Sequence, residues 1–138
     1  MKRLSLVFLA AMTAAANAAP FDITDAWFRA LPGDLPAGGY FNAQNNGPRD
    51  VSITSVSSDA CGMLMIHRSS NKGGMSGMDM VESVKVPAGG IVRFSPGGYH
   101  LMCEGAKMKI GTRVPVLLHL SDGNAVVVGF AVKNASGK

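Results

Sequence analysis

The sequence predicts an all-β domain, either an antiparallel sandwich or a small barrel. Turn-forming residues recur at short intervals, in LPGDLPAGG, NNGPRD, SNKGG, PAGG, SPGG and SDGN. The segments between them are short and rich in β-branched and aromatic residues, which is typical of antiparallel β architectures. No stretch of about ten residues carries a helical period, although TDAWFRAL is long enough for one helical turn.

In chain order, the first element is a secretory signal peptide over residues 1–18. It has two basic residues, an apolar run at 4–12 and an A-x-A cleavage signal that ends at Ala18, the three parts that define such peptides. The apolar run is shorter than the roughly 20 residues that a membrane-spanning helix requires. We therefore expect residues 19–138 to be a single domain that is exported to the periplasm, without stable insertion in the membrane.

The predicted strands follow one another through this domain. In chain order they are YFNAQ, VSITSV, MLMIH, ESVKV, IVRF, YHLMC, VPVLLHL and AVVVGFAV. Four aromatic residues near the start of the domain are expected in its core rather than on a binding surface: Trp27, Phe28, Tyr40 and Phe41.

The charge of the mature chain is small. Without Lys2 and Arg3, 11 basic residues face 9 acidic ones, so the formal charge falls from +4 to +2. The basic residues stand singly rather than in a dense stripe, and nucleic-acid binding is therefore not expected. The chain also shows no nucleophile with an adjacent base and no C-x-x-C pair. We expect a protein that is not an enzyme.

Two predicted strands carry imidazole and thioether side chains on one face. Residues two apart in a strand point the same way, so His100 and Met102 share a face while Cys103 points to the other side. The same rule places Met65 and His67 on one face of MLMIH. Met is often a core filler and a lone His is often structural. We expect such ordinary roles for three other residues: Met63, Met108 and His119.

The methionines of GGMSGMDM are harder to explain in this way. We predict that Met75 and Met78 lie in a glycine-rich loop, which Met80 follows. A loop of small residues has little core for a methionine to fill. This segment therefore favours a metal site.

Thioether and imidazole ligands are neutral, and this limits which metal ions they can bind well. They suit Cu(I), which is soft and singly charged, better than a hard dication. Zinc would require thiolates, carboxylates or a third histidine ligand. A blue-copper centre would require a cysteine ligand, but Cys103 faces away from His100, and Cys61 lies roughly 20 Å from His67 along an extended chain.

The spacing of four of these residues is similar to a known motif. His67, Met78, His100 and Met102 form the pattern H-x10-M-x21-H-x-M, which resembles the motif of the PCu(A)C family of periplasmic copper chaperones. The phrase VPAGGIVRFSPGGYHLM also resembles the sequence around the second histidine of that family. The resemblance extends from AWFRALPGDLPAGGYF to VKN.

The resemblance implies a cupredoxin-like Greek-key β-barrel or sandwich that binds one Cu(I) ion through His67, Met78, His100 and Met102. It further implies a monomeric chaperone that delivers copper to the copper domain of cytochrome c oxidase subunit II, alone or with a Sco-type protein. Some relatives carry a second site in a His- and Met-rich tail, whereas this sequence reads KNASGK there. A single site is expected, and three residues are candidate substitute ligands: Met65, Met75 and Met80.

Two other functions stay open at this stage. A copper buffer for resistance would use the same site without a dedicated recipient. A blue-copper-like electron carrier is the lesser alternative, because neither cysteine is well placed to be a ligand.

The cysteines form one candidate pair. Thiols outside the cytoplasm tend to form disulfides when two can meet, and a bend at SSDA would bring Cys61 toward Cys103. We therefore predict a disulfide. The alternative is two buried free thiols that act as small apolar residues.

Overall fold

The computed structural model describes residues 20–72 and 74–138, and this part of the chain forms ten β-strands and no helix. The prediction of an all-β fold is confirmed. The strands are β1 (Phe21–Arg29), β2 (Ala37–Asn45), β3 (Val51–Ser57), β4 (Met63–Lys72), β5 (Met75–Met80), β6 (Val84–Val86), β7 (Ile91–Phe94), β8 (Tyr99–Glu104), β9 (Arg113–Leu120) and β10 (Ala125–Lys133). Within these residues no helix is long and apolar enough to cross a membrane. The predicted signal peptide, residues 1–18, lies outside the described residues.

The strands belong to one strongly curled sheet. Its order is β5-β4-β8-β2-β1-β10-β9-β3-β6, and β7 pairs with β2 beside this path. The β1–β10 pair is parallel, whereas β4, β5 and β8 pair in antiparallel fashion. Strands β3 and β4 pack against each other although they are distant in this order, because the sheet curls on itself. The fold is cupredoxin-like, as expected from the resemblance.

The first six residues of the segment TDAWFRAL belong to strand β1 rather than to a helical turn. The pairing of β1 with β2 is irregular between Thr24 and Trp27. Asp25 has a φ of 54°, a left-handed conformation that aspartate tolerates better than most residues. Its carboxylate accepts a hydrogen bond from the Asn42 amide at 3.2 Å. Pairing on both sides of β1 therefore overrides any local helical preference.

The core lies inside the curl and is centred on phenylalanine rings. Phe41 stacks on Phe94 with ring centroids 4.1 Å apart, and Phe28 contacts Phe130 at 5.0 Å. The prediction of a core role is confirmed for Phe28 and Phe41, which are fully buried. It is wrong for Trp27 and Tyr40, which are only half-buried because they lie on the outer face of their strands and pack against each other.

A disulfide joins Cys61 to Cys103, with Cα atoms 5.3 Å apart. The bend that brings Cys61 back is present, since its amide donates to the Ser58 carbonyl at 3.1 Å. Gly62 then donates to the Glu104 carbonyl at 2.8 Å. The predicted disulfide is confirmed in this structure, and it ties the start of β4 to the end of β8.

Candidate metal centre

The two strands tied by the disulfide bring two histidines face to face. In the antiparallel β4–β8 pair, His67 lies directly opposite His100, and Met65 lies opposite Met102. Residues opposite each other in such a pair are on the same face of the sheet. The two imidazole rings are arranged edge to face, with centroids 5.8 Å apart. Side chains 33 residues apart in sequence are thus neighbours through strand register alone.

The third donor comes from strand β5. Met78 pairs with Ser69 of β4, and its sulfur lies 3.2 Å from His100 Nε2. Ser69 is small, so the methionine reaches across β4 toward the imidazole of β8. Three adjacent strands therefore contribute to one cluster.

The prediction that Met75 and Met78 lie in a loop is wrong. Residues 75–80 form a strand that pairs along β4, and Gly74, with φ +79°, stands at the turn between the two strands. Successive residues of β5 alternate between the two faces of the sheet. Met78 and Met80 therefore lie on the same face as His67, and Met75 lies on the opposite face. Pairing with β4 satisfies the backbone of this segment, which is why a glycine-rich stretch is extended here.

The orientation of the His100 ring is fixed by its second nitrogen. Nδ1 lies 3.1 Å from the Gly98 carbonyl, and a carbonyl can only accept, so Nδ1 carries the proton of the neutral ring. Nε2 is then unprotonated, and its lone pair faces the Met78 sulfur. A hydrogen bond that fixes one imidazole nitrogen and frees the other is the usual arrangement at histidine metal ligands.

His67 is held in its neutral form by its surroundings. Burial lowers the pKa of its imidazole, the nearby His100 lowers it further, and Glu104 acts in the opposite direction. Its Nδ1 atom is buried and has no hydrogen-bond partner among the residues that the structure describes. A buried nitrogen without a partner is costly unless something binds it, so His67 has an unused donor atom beside His100.

Met102 completes the cluster in a cleft of about 440 Å³. The cleft is lined on one side by Met78, His100 and Met102. Met102 pairs with Gly38 of β2, and a Cβ at Gly38 would lie 2.7 Å from the Tyr40 hydroxyl. The Tyr40 ring therefore lies over Gly38 and forms part of the cleft wall.

Sequence reasoning missed the other wall of the cleft. Arg29 lines it, with its guanidinium 5.5 Å from the ring centroids of both Trp27 and Tyr40. The Arg29 Nε atom is buried, and residues 20–72 and 74–138 provide no hydrogen-bond partner for it. Strand parity was the available signal, since Phe28 and Phe41 point inward and their neighbours Trp27, Arg29 and Tyr40 must point outward.

The remaining candidates lie outside the cluster. His119 is exposed on β9, where it pairs with Ala125 and Ser55. Met108 packs against the core as expected. The expected core role of Met63 is wrong, because Met63 is 56% exposed on the same face as Met65.

The donor set at this centre is nitrogen and sulfur rather than oxygen. In the part of the chain that the structure describes, no group of three His, Cys, Asp or Glu residues is arranged to hold a metal ion. Both cysteines are joined in the disulfide and offer no thiolate. The neutral donors of His67, Met78, His100 and Met102 fit a soft, singly charged ion.

Known proteins share both sequence and fold with this chain. The family model described as "Putative lipoprotein LpqE-like" matches residues 21–132. "Putative lipoprotein Lxx21020" of Leifsonia xyli subsp. xyli (strain CTCB07) is 29% identical over 130 residues, which are 92% of this chain and 78% of the relative.

Solved structures are similar along most of the chain. Cu(I)-bound DR1885 from Deinococcus radiodurans is 28% identical, with a TM-score of 0.69 over 90% of this chain and 85% of that one. The copper-bound PCuAC domain from PmoF2 is 21% identical, with a TM-score of 0.71 over 86% of this chain and 96% of that one. At 21% identity, the similarity to the PmoF2 domain shows the fold alone.

Proposed function

This chain belongs to the LpqE-like (PCuAC) family, and on that premise we propose that it is a periplasmic metallochaperone. It holds one Cu(I) ion through His67, Met78, His100 and Met102 and passes the ion to a partner by ligand exchange. The observation that carries the proposal is the convergence of three strands at His100, whose free Nε2 lies 3.2 Å from the Met78 sulfur.

The chemistry of the four donors supports Cu(I) as the cargo. Two neutral imidazoles and two thioethers stabilise a soft monovalent ion and leave a dication uncompensated. His100 offers its Nε2 atom. His67 offers its Nδ1 atom, which has no hydrogen-bond partner among the described residues. The Cu(I)-bound relative of 28% identity supports the same assignment. We propose no catalytic step.

Release requires that an incoming ligand can reach the ion. Met78 is 57% exposed and lies in the β4–β5 hairpin at the sheet edge, whereas His100 is buried. We expect Met78 to be the first ligand displaced by a thiolate or imidazole of the recipient. The disulfide withholds both cysteines from copper, which disfavours a blue-copper electron carrier.

The proposed recipients are the copper domain of cytochrome c oxidase subunit II and a Sco-type protein. The test is NMR of isotope-labelled, Cu(I)-loaded protein mixed with each unlabelled apo recipient. Signals of His67, His100 and strands β4, β5 and β8 should return to their apo positions as the recipient loads copper. His119→Ala is the matched control and should transfer copper like the wild type. If copper stays on this protein with every recipient, the chaperone proposal fails and a copper buffer takes its place.

A further inference from the structure

A second pair of thioethers lies beside the four-residue centre. Met65 and Met80 line a separate cavity of about 180 Å³ at the edge of β4, where β5 has ended. Ser55 of β3 and Glu82 line the same cavity. Met80 is 69% exposed, so its side chain is open to solvent.

The strand register places this pair next to His67. Met80 lies opposite His67 on one side, and His100 lies opposite it on the other. Met65 precedes His67 by two residues and shares its face. His67 therefore stands between the exposed thioether of Met80 and the buried imidazole of His100.

The chemistry of the pair differs from that of an ordinary apolar surface. An exposed methionine such as Met80 contributes little to a core. Thioethers on flexible side chains bind soft ions, and the carboxylate of Glu82 at the same cavity offsets a single positive charge. His67, a member of the proposed centre, is also the register partner of Met80.

We propose that Met65 and Met80 form a second, weaker position for a soft monovalent ion, through which Cu(I) enters or leaves the four-residue centre by way of His67. The route rests on the proposed function. His67 stays bound to the ion while the bonds to Met78, Met102 and His100 break and bonds to the thioethers of Met65 and Met80 form, so three ligands hold the ion at the second position. The ion keeps its charge throughout, so no oxidant or reductant takes part.

The test is NMR of protein labelled with carbon-13 at the methionine methyl groups. Ag(I), a soft monovalent ion that is stable to oxidation, is titrated to two equivalents. The first equivalent should shift the methyl signals of Met78 and Met102. The second should shift those of Met65 and Met80.

Paired variants separate this position from general thioether binding. Met65→Leu/Met80→Leu should lose the second equivalent, keep the first, and release Cu(I) to a chelator several-fold more slowly. Met75→Leu removes an exposed thioether from the other face of β5 and should behave like the wild type. Unmoved Met65 and Met80 signals, or an unchanged release rate in the double variant, overturn the proposal. Absence of a response at Met78 and Met102 would instead overturn the proposed centre, and it is read from the same spectra.

Discussion

The two faces of strands β4 and β8 carry different chemistry at adjacent positions. On the inner face, Ile66, Leu101 and Cys103 are at most 4% exposed and belong to the core. On the outer face, His67 and His100 meet beside the cleft. Because strand residues alternate between faces, one segment supplies both the packing that holds the fold and the donors for an ion. Substitutions on one face should therefore change one property and leave the other nearly intact.

The largest expected effect is on the outer face. His100→Ala should weaken Cu(I) binding by more than the roughly 10- to 100-fold that loss of a supporting partner costs at a metal site. The reason is that it removes the imidazole whose Nε2 lies 3.2 Å from the Met78 sulfur. Competition with a chromophoric Cu(I) chelator measures the affinity, and circular dichroism checks the fold.

Two further variants sharpen this prediction. Met102→Leu keeps the side-chain volume and should also weaken binding. His119→Ala, on an exposed part of β9, should leave the affinity nearly unchanged. Loss of binding in His119→Ala, together with full binding in His67→Ala, would show that the ligand assignment is wrong.

The next effect belongs to the inner face. Cys61→Ala/Cys103→Ala should lower the free energy of unfolding by about 2–4 kcal/mol, because the cross-link restricts the unfolded chain over a separation of 42 residues. Urea denaturation of the apo protein measures this loss. The Cu(I) affinity of the folded variant should stay close to that of the wild type. A loss of affinity as large as that of His100→Ala would mean that the two faces are not independent.

The difference between the faces was largely predictable from the sequence. Alternation correctly separated Cys103 from His100 and Met102, and it placed Met65 with His67. The spacing of the four residues carried the resemblance to a copper-binding family. Alternation could not supply the pairing between strands. The resemblance implied that Met78 and His100 meet, but not that Met78 lies on a strand beside Ser69 and reaches His100 across it.

The errors have the same physical origin. The stretch GGMSGMDM contains small residues that favour turns, yet its residues 75–80 pair with β4 and form strand β5. Trp27 and Tyr40 were expected in the core because of their size, but strand parity turns them outward against Arg29. Expectations from the local sequence were therefore wrong at two places. Pairing with β4 makes residues 75–80 a strand, and Trp27 and Tyr40 lie on the outer face, where they pack beside Arg29.

A smaller effect distinguishes two adjacent glycines of β2. A Cβ at Gly39 would lie 2.7 Å from a ring carbon of Phe28 and 2.9 Å from the Leu101 Cβ. Gly39→Ala should therefore cost about 1–3 kcal/mol of stability, as overpacked cores do. At Gly38 the contact is the hydroxyl end of Tyr40 at 2.7 Å, which can move into the cleft. Gly38→Ala should be less destabilising in urea denaturation, and an equal or larger loss would contradict the division between the faces.

The smallest effect is the pH dependence that the outer face adds to the apo protein. Burial, and then the neighbouring His100, lower the pKa of His67 from its ordinary 6.5. The unfolded chain therefore takes up this proton at a higher pH than the folded chain does. The contribution of neutral His67 to stability is complete above about pH 6.5 and is lost as the pH falls from there through the lower folded value.

Urea midpoints at a series of pH values between about 8 and 5 should fall less steeply in His67→Gln than in the wild type. His119→Gln should follow the wild type. Parallel curves for the wild type and His67→Gln would show that the His67 imidazole carries no protonation cost, and that the two faces differ in ligand chemistry alone.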